Sequence, residues 1–161
     1  MAVVFLLLGS NMGDQQDFLL KARDQIELRV GAVARAASFY QTAAWGNTDQ
    51  ADFINQVLQV ETYLKPQQVL QTVLQIEKEL GRERLEKWGA RTIDIDILFY
   101  DEEVITETDL KIPHPSLHQR AFTLVPLSEI NPDWIHPVLK QNILELLNQL
   151  DDQLAVRKLN L

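Results

Sequence analysis

Apolar and polar residues follow two different periods along this chain. The run Val3-Val4-Phe5-Leu6-Leu7-Leu8 is apolar throughout and predicts a strand buried on both faces. Gly9-Ser10-Asn11-Met12-Gly13 predicts a turn into a helix, with Asp14 as an acid at its start. Phe18, Ala22 and Ile26 recur every four residues and predict that helix's inner face. Val33 to Tyr40 reads as a weaker strand diluted with alanine, followed by an ordered loop at Thr42-Ala43-Ala44-Trp45-Gly46. Phe53 to Glu61 predicts a second long strand, with Phe53 and Asn55 on one face. Pro66 suits a first helical turn and Gly81 the position past a helix end. Between them Val69, Val73, Ile76 and Leu80 make an apolar stripe, and Glu77, one residue off it, reads as a surface acid. The period then returns to two from Thr92 to Tyr100, where Ile93, Ile95 and Ile97 take one face and Thr92, Asp94, Asp96 and Leu98 the other. Asp101-Glu102-Glu103 reads as a turn into a short strand near Val104-Ile105. Leu139, Ile143, Leu146, Leu147 and Leu150 predict a last amphipathic helix, and the tail from Asp151 carries no pattern.

Strand–helix–strand–strand–helix–strand is a ferredoxin-like order. The expected fold is α/β of the α+β kind: a mainly antiparallel sheet, helices packed on one face, the other face free for substrates, and extra C-terminal elements. Repeats, linkers and low-complexity segments are absent, and 161 residues suit a single domain over 1–161 with a real core.

Composition narrows the function classes. A net charge of −8 argues against nonspecific binding to nucleic acid or to an anionic membrane, so any anion site must be a local cationic patch. Without cysteine there is no disulfide, thiolate nucleophile or Cys-based zinc site. The run Val3–Leu8 is too short to cross a bilayer and has no basic segment before it, so a cytoplasmic location is expected.

Asp94 and Asp96 point the same way from one strand, roughly 6.5–7 Å apart. Two such carboxylates repel unless a cation is shared, and hard oxygen ligands favour Mg²⁺; the plain alternative is a solvated strand face. Just upstream, Lys78 to Arg91 holds five of the chain's 15 Lys and Arg residues, bracketed by Gly81 and Gly89. Arginines beside a carboxylate pair suit a metal–polyphosphate complex, although Glu83 and Glu86 leave room for an exposed charged loop. The glycines at 9 and 13 lack the ending of a phosphate-binding loop. Phe53 is by default a core residue, yet an aromatic and an amide two residues apart also suit a flat heterocycle. His114, between Pro113 and Pro115, is held extended and aimed, and Pro115 keeps it out of any helix interior shared with His118, against a zinc pair. Arg120 and Phe122 read as a surface cation and a core ring.

Three separated motifs stand in order: Leu8-Gly9-Ser10-Asn11; Gly89-x-Arg91-Thr92-x-Asp94-x-Asp96-Ile97; and Pro113-His114-Pro115-x-Leu117-x-x-Arg120-x-Phe122. Together they resemble the 6-hydroxymethyl-7,8-dihydropterin pyrophosphokinases of folate synthesis, over nearly the whole chain. The resemblance implies transfer of pyrophosphate from ATP to the pterin alcohol, releasing AMP. It implies Asp94 and Asp96 as ligands of two Mg²⁺ ions, with Arg82 and Arg91 stabilising the transferred group. Pterin binding is implied for Thr42, Ala44, Trp45, Phe53, Asn55 and Phe122. ATP binding is implied for Glu77, Arg84, Trp88, Ile97, Lys111, His114 and Arg120. The chain departs from the family where Ala43 and Ala44 replace frequent prolines and Leu74 a frequent glutamine. The expected partners are small-molecule substrates, with no nucleic acid and no membrane, bound by a monomer. Two other readings share the fold. A nucleotidyl transferase or cyclase would use the aspartates but not the Phe53/Asn55/Phe122 pocket; a non-catalytic regulatory module would not need the arginines and aspartates together.

Overall fold

The first apolar run becomes the central strand of the sheet, β1 (Ala2–Ser10), in a computed structural model that describes residues 1–42, 52–81, 92–151 and 155–159. β4 (Phe53–Thr62) lies antiparallel on one side of it and β5 (Asp94–Tyr100) on the other. Beyond β4 come β2 (Gly31–Ala36) and β3 (Tyr40–Thr42), and β3 carries β8 (Val156–Lys158). The sheet order is β5-β1-β4-β3-β8, with β2 also paired to β4. With α1 (Gln15–Arg29) after β1 and α2 (Pro66–Glu79) after β4, this is the ferredoxin-like arrangement that the element order predicts.

One face of the sheet is a closed core. Val4, Leu6 and Leu8 of β1 pack there with Leu19, Ala22 and Ile26 of α1 and Val69, Val73 and Ile76 of α2. Phe18, expected on the inner face of α1, is only half-buried. Leu19 takes its place, because spacing of three and then four residues keeps a narrower stripe than two spacings of four.

The opposite face was expected to be free; much of it is covered. Phe5 and Leu7 of β1, with Val57, Leu98 and Phe99, pack against Leu117, Leu124, Leu127, Ile130, Ile143 and Leu146. These come from a short 3-10 turn (Leu117–Gln119), α3 (Ala121–Ile130) and α4 (Ile143–Asn148). α3 is nearly all apolar with Pro126 inside, so it has neither the stripe nor the composition of an expected helix; packing overrides both. The helix expected from Leu139 to Leu150 is shorter. Asn142 and Glu145 form its capping box, while Leu139 sits exposed beside Lys140, whose φ is 60°. The strand expected over 33–40 divides into β2 and β3, and between them Ser38 gives its N–H and its hydroxyl to Glu129 of α3. The tail expected to carry nothing supplies β8.

The alternation in β5 holds to Leu98 and then breaks. Phe5 faces Phe99 but Leu6 faces Ile97, so Leu98 is an extra residue and Leu98 and Phe99 both join the second core. β6 (Ile105–Thr106) and β7 (Lys111–Ile112) form a separate small hairpin beyond β5. No helix among the described residues is long and apolar enough to cross a membrane.

Candidate functional site

Leu7, paired with Val57, is the last residue of β1 to join the second core. One rung further, Gly9 pairs with Asn55 of β4 on one side and Asp94 of β5 on the other. Side chains on one rung share a face. Asn55 and Asp94 therefore flank a position with no side chain, two strand spacings or about 10 Å apart. A Cβ at Gly9 would lie 2.6 Å from Asn55 Nδ2, so glycine at this position lets the Asn55 amide lie close over the strand.

On the β5 side, Asp94, Asp96 and Ile97 line a cavity of about 300 Å³ together with Glu77 of α2, Lys111 of β7 and His114. Residues far apart in sequence thus line one cavity. Glu77 corrects the reading of a surface acid. It is buried, and its Oε2 accepts the N–H of Ile95 at 2.7 Å, on the strand between the two aspartates. An edge strand has backbone donors on its outer side, and this carboxylate satisfies one of them. Its partner lies 18 positions along the chain, beyond the reach of a helical-wheel argument.

His114 is hooked to β5 by its own N–H, which donates to Leu98 O at 3.0 Å. Its Nδ1 accepts the N–H of Ser116 at 3.1 Å, which leaves the proton of the neutral ring on Nε2. Burial lowers its pKa, and Asp96, pulling upward, does not offset that together with the nearby Arg120 cation. The ring is a neutral donor near pH 7. His118 instead packs edge-on against His136, 6.2 Å between centroids, in the C-terminal layer.

On the β4 side, Thr42 pairs with Phe53 and Tyr40 with Asn55, so Thr42, Phe53 and Asn55 share the open face with Asp94 and Asp96. Thr42 and Asn55 are buried and Phe53 half-buried. Thr42 Oγ1 has no hydrogen-bond partner among the described residues. Phe122, at the start of α3, is also half-buried, and the Arg120 guanidinium stands 5.3 Å from its ring centroid. That contact joins two residues the sequence reading kept apart.

Ala44, Trp45, Arg82, Arg84, Trp88 and Arg91 lie outside the described residues. Leu70, Thr108, Asp109 and Leu110 also line the cavity and were not anticipated, as does Leu74, the position where the family often has glutamine. The seating of the Asn55 amide over Gly9 was not anticipated either; it depends on register, and the sequence marks it only as a glycine ending an apolar run.

The donor set suits a hard divalent cation. Among the described residues no group of three or more His, Asp or Glu side chains forms a metal cage. Two carboxylates on one face match an ion that takes its remaining ligands from phosphate and water.

Comparison with known proteins places these features in a family. The model of the 7,8-dihydro-6-hydroxymethylpterin-pyrophosphokinase family matches residues 5–132. A 2-amino-4-hydroxy-6-hydroxymethyldihydropteridine pyrophosphokinase of Aquifex aeolicus is 44% identical over 145 residues, covering 90% of each chain. One of Haemophilus influenzae is 40% identical over 160 residues, covering 98% of each. The solved HPPK-DHPS of Plasmodium falciparum superposes with a TM-score of 0.74 at 17% identity, over 92% of this chain and 42% of that one. The chain thus spans less than half of that solved chain, and the likeness is one of fold.

Proposed function

We propose a division of labour among the residues of this chain, from the premise that it belongs to the 7,8-dihydro-6-hydroxymethylpterin-pyrophosphokinase family. The chain transfers pyrophosphate from ATP to the hydroxyl of 6-hydroxymethyl-7,8-dihydropterin, in folate biosynthesis. The pterin alcohol oxygen bonds to the β-phosphorus, the bond from that phosphorus to the α–β bridging oxygen breaks, and AMP leaves while the alcohol proton passes to solvent.

The observation that carries the assignment of roles is the cavity along β5, where Asp94, Asp96, Lys111 and His114 converge. The triphosphate lies there. Asp94 and Asp96 hold two Mg²⁺ ions, which when bound neutralise the phosphate oxygens and polarise the phosphorus under attack. Lys111, Arg120 and the Nε2–H of His114 donate to phosphate oxygens. Glu77 keeps the Asp-bearing strand in place, and Ile97 faces the nucleotide. The pterin lies at the end of β4, its ring between Phe53 and Phe122 and its polar edge on Asn55 and Thr42. Arg82 and Arg91 act on the transferred group, Arg84 and Trp88 on the nucleotide, and Ala44 and Trp45 on the pterin; these six rest on the sequence resemblance. The enzyme works as a single domain over 1–161, as a monomer, in the cytoplasm.

AMP formation from MgATP, followed with and without hydroxymethyl-dihydropterin, tests the scheme. AMP is expected only when pterin and Mg²⁺ are both present. AMP release that ignores the pterin overturns the arrangement.

A further inference from the structure

At the pterin end of the sheet, the ladder between β1 and β4 does not stop with its last backbone pair. That pair is Ser10 and Ile54. Past it, the side-chain amide of Gln15, the first residue of α1, donates from Nε2 to Ser10 O at 2.7 Å and to Asp52 O at 2.6 Å. One NH₂ group has two hydrogens, and both are used. It joins the end of β1 to the residue before β4. Asp52 is held a second time, its Oδ2 accepting from Gln41 Nε2 of β3 at 3.0 Å. The oxygen of that same amide accepts from Arg157 Nη2 of β8. A chain of side chains therefore crosses four strands at one end of the sheet, and the residues just inside it are Gly9, Phe53 and Asn55. The Asn55 amide has little freedom of its own: Nδ2 lies 3.4 Å from Leu8 O and would meet any Cβ at position 9. Its aim is set by how closely β1 and β4 are held together.

We infer that Gln15 is a positioning residue for the pterin substrate, fixing the separation and register of β1 and β4 so that Phe53 and Asn55 face the ring. The inference rests on the pterin-site reading above. Gln15 touches neither substrate in this account; it acts through two carbonyl oxygens. What those oxygens need is a donor, whatever its charge. Lysine at position 15 retains donors for both, methionine retains only the bulk, and glutamate sets oxygen against oxygen.

The test compares Gln15→Met, Gln15→Glu and Gln15→Lys with the parent chain, by pterin fluorescence titration in the presence of a nonhydrolysable ATP analogue, by steady-state kinetics, and by thermal melting. Gln15→Met is expected to raise pterin Kd and KM about five- to tenfold, with kcat and ATP KM within twofold. Gln15→Glu should be worse than methionine despite its closer size, and Gln15→Lys should recover to within about threefold of the parent. Equal losses in all three variants, or losses that follow melting temperature instead of donor capacity, overturn the inference. Arg157→Met, at the far end of the network on β8, serves if Gln15→Met does not fold; a pterin Kd raised two- to threefold supports the inference and an unchanged one overturns it. Phe53→Leu separates the two claims. If it weakens pterin binding while Gln15→Met does not, the positioning role alone is wrong. If Phe53→Leu leaves pterin affinity intact, the pterin-site reading falls and takes the inference with it.

Discussion

The two faces of the sheet are built on different principles. On one, amphipathic α1 and α2 lay apolar stripes over Val4, Leu6 and Leu8 and close the core completely. On the other, a helix with an internal proline, a helix of six residues and a 3-10 turn cover Phe5 and Leu7 and stop short of Gly9. The first face is filled by its partner helices over β1, and only at the edge strand do its Ile97 and the Glu77 of α2 reach the cavity along β5. The second carries Asn55, Asp94 and Asp96 beside its apolar cover. The same strands supply both, so on β1 and β4 stability and chemistry are separated by the direction in which a side chain points, while edge strand β5 serves the cavity from both faces.

If that separation is real, the largest effect belongs to the open face. Asp94→Asn or Asp96→Asn should cost several kcal/mol of transition-state stabilisation, the size of a lost metal interaction, and leave the melting temperature within a few degrees of the parent. Near-normal turnover at ordinary Mg²⁺ in either variant would falsify the assignment of that face.

Ile26→Ala asks the opposite question on the closed face. Ile26 is fully buried in α1, and its truncation should lower unfolding free energy by about 2–5 kcal/mol by chemical denaturation. The folded fraction should keep its turnover. A specific loss of activity there would show that the faces are not independent.

A third effect depends on pH. Burial, with His118 adding to it, lowers the His136 pKa to about 4, below its ordinary 6.5. As pH falls through 6.5 the unfolded chain takes up the proton first, so stability falls with pH across the window from 6.5 to 4 and is flat below it. At 1.36 kcal/mol per unit the loss is at most about 3 kcal/mol. Glu129 acts in the same direction at lower pH. Hydrogen bonds from Ser38, Tyr40 and Lys158 prevail over burial and hold its pKa below the usual value, so its contribution disappears as pH falls through the carboxylate range. Denaturation midpoints against pH should slope over that window in the parent, and His136→Gln should flatten the slope between 6.5 and 4. An unaltered slope places the sensitivity elsewhere.

The smallest effect sharpens the boundary within the open face. Phe53→Ala and Phe122→Ala should each weaken pterin binding by about 1–3 kcal/mol through lost stacking and burial, with ATP affinity little changed. Calorimetric titration with each substrate checks this. Should Phe122→Ala also weaken ATP binding, the Arg120 contact with its ring carries the coupling.

Local pattern by itself determined β1, β4, α1, α2 and β5, because each has a period set by its own backbone geometry and enough residues to repeat it. It also determined which residue types would matter: Asp94 and Asp96 alternate with isoleucines, and no core role explains two carboxylates there. Tertiary structure alone decided what those residues meet. Glu77 looks like any helical surface acid until Ile95 N–H arrives beside it. α3 has no stripe because it is enclosed, and β8 is three residues whose partner is β3, far away in the chain. The row across Gly9 is the clearest case. Two registers bring Asn55 and Asp94 to either side of one glycine, and no single stretch of sequence encodes where three separate segments come into line.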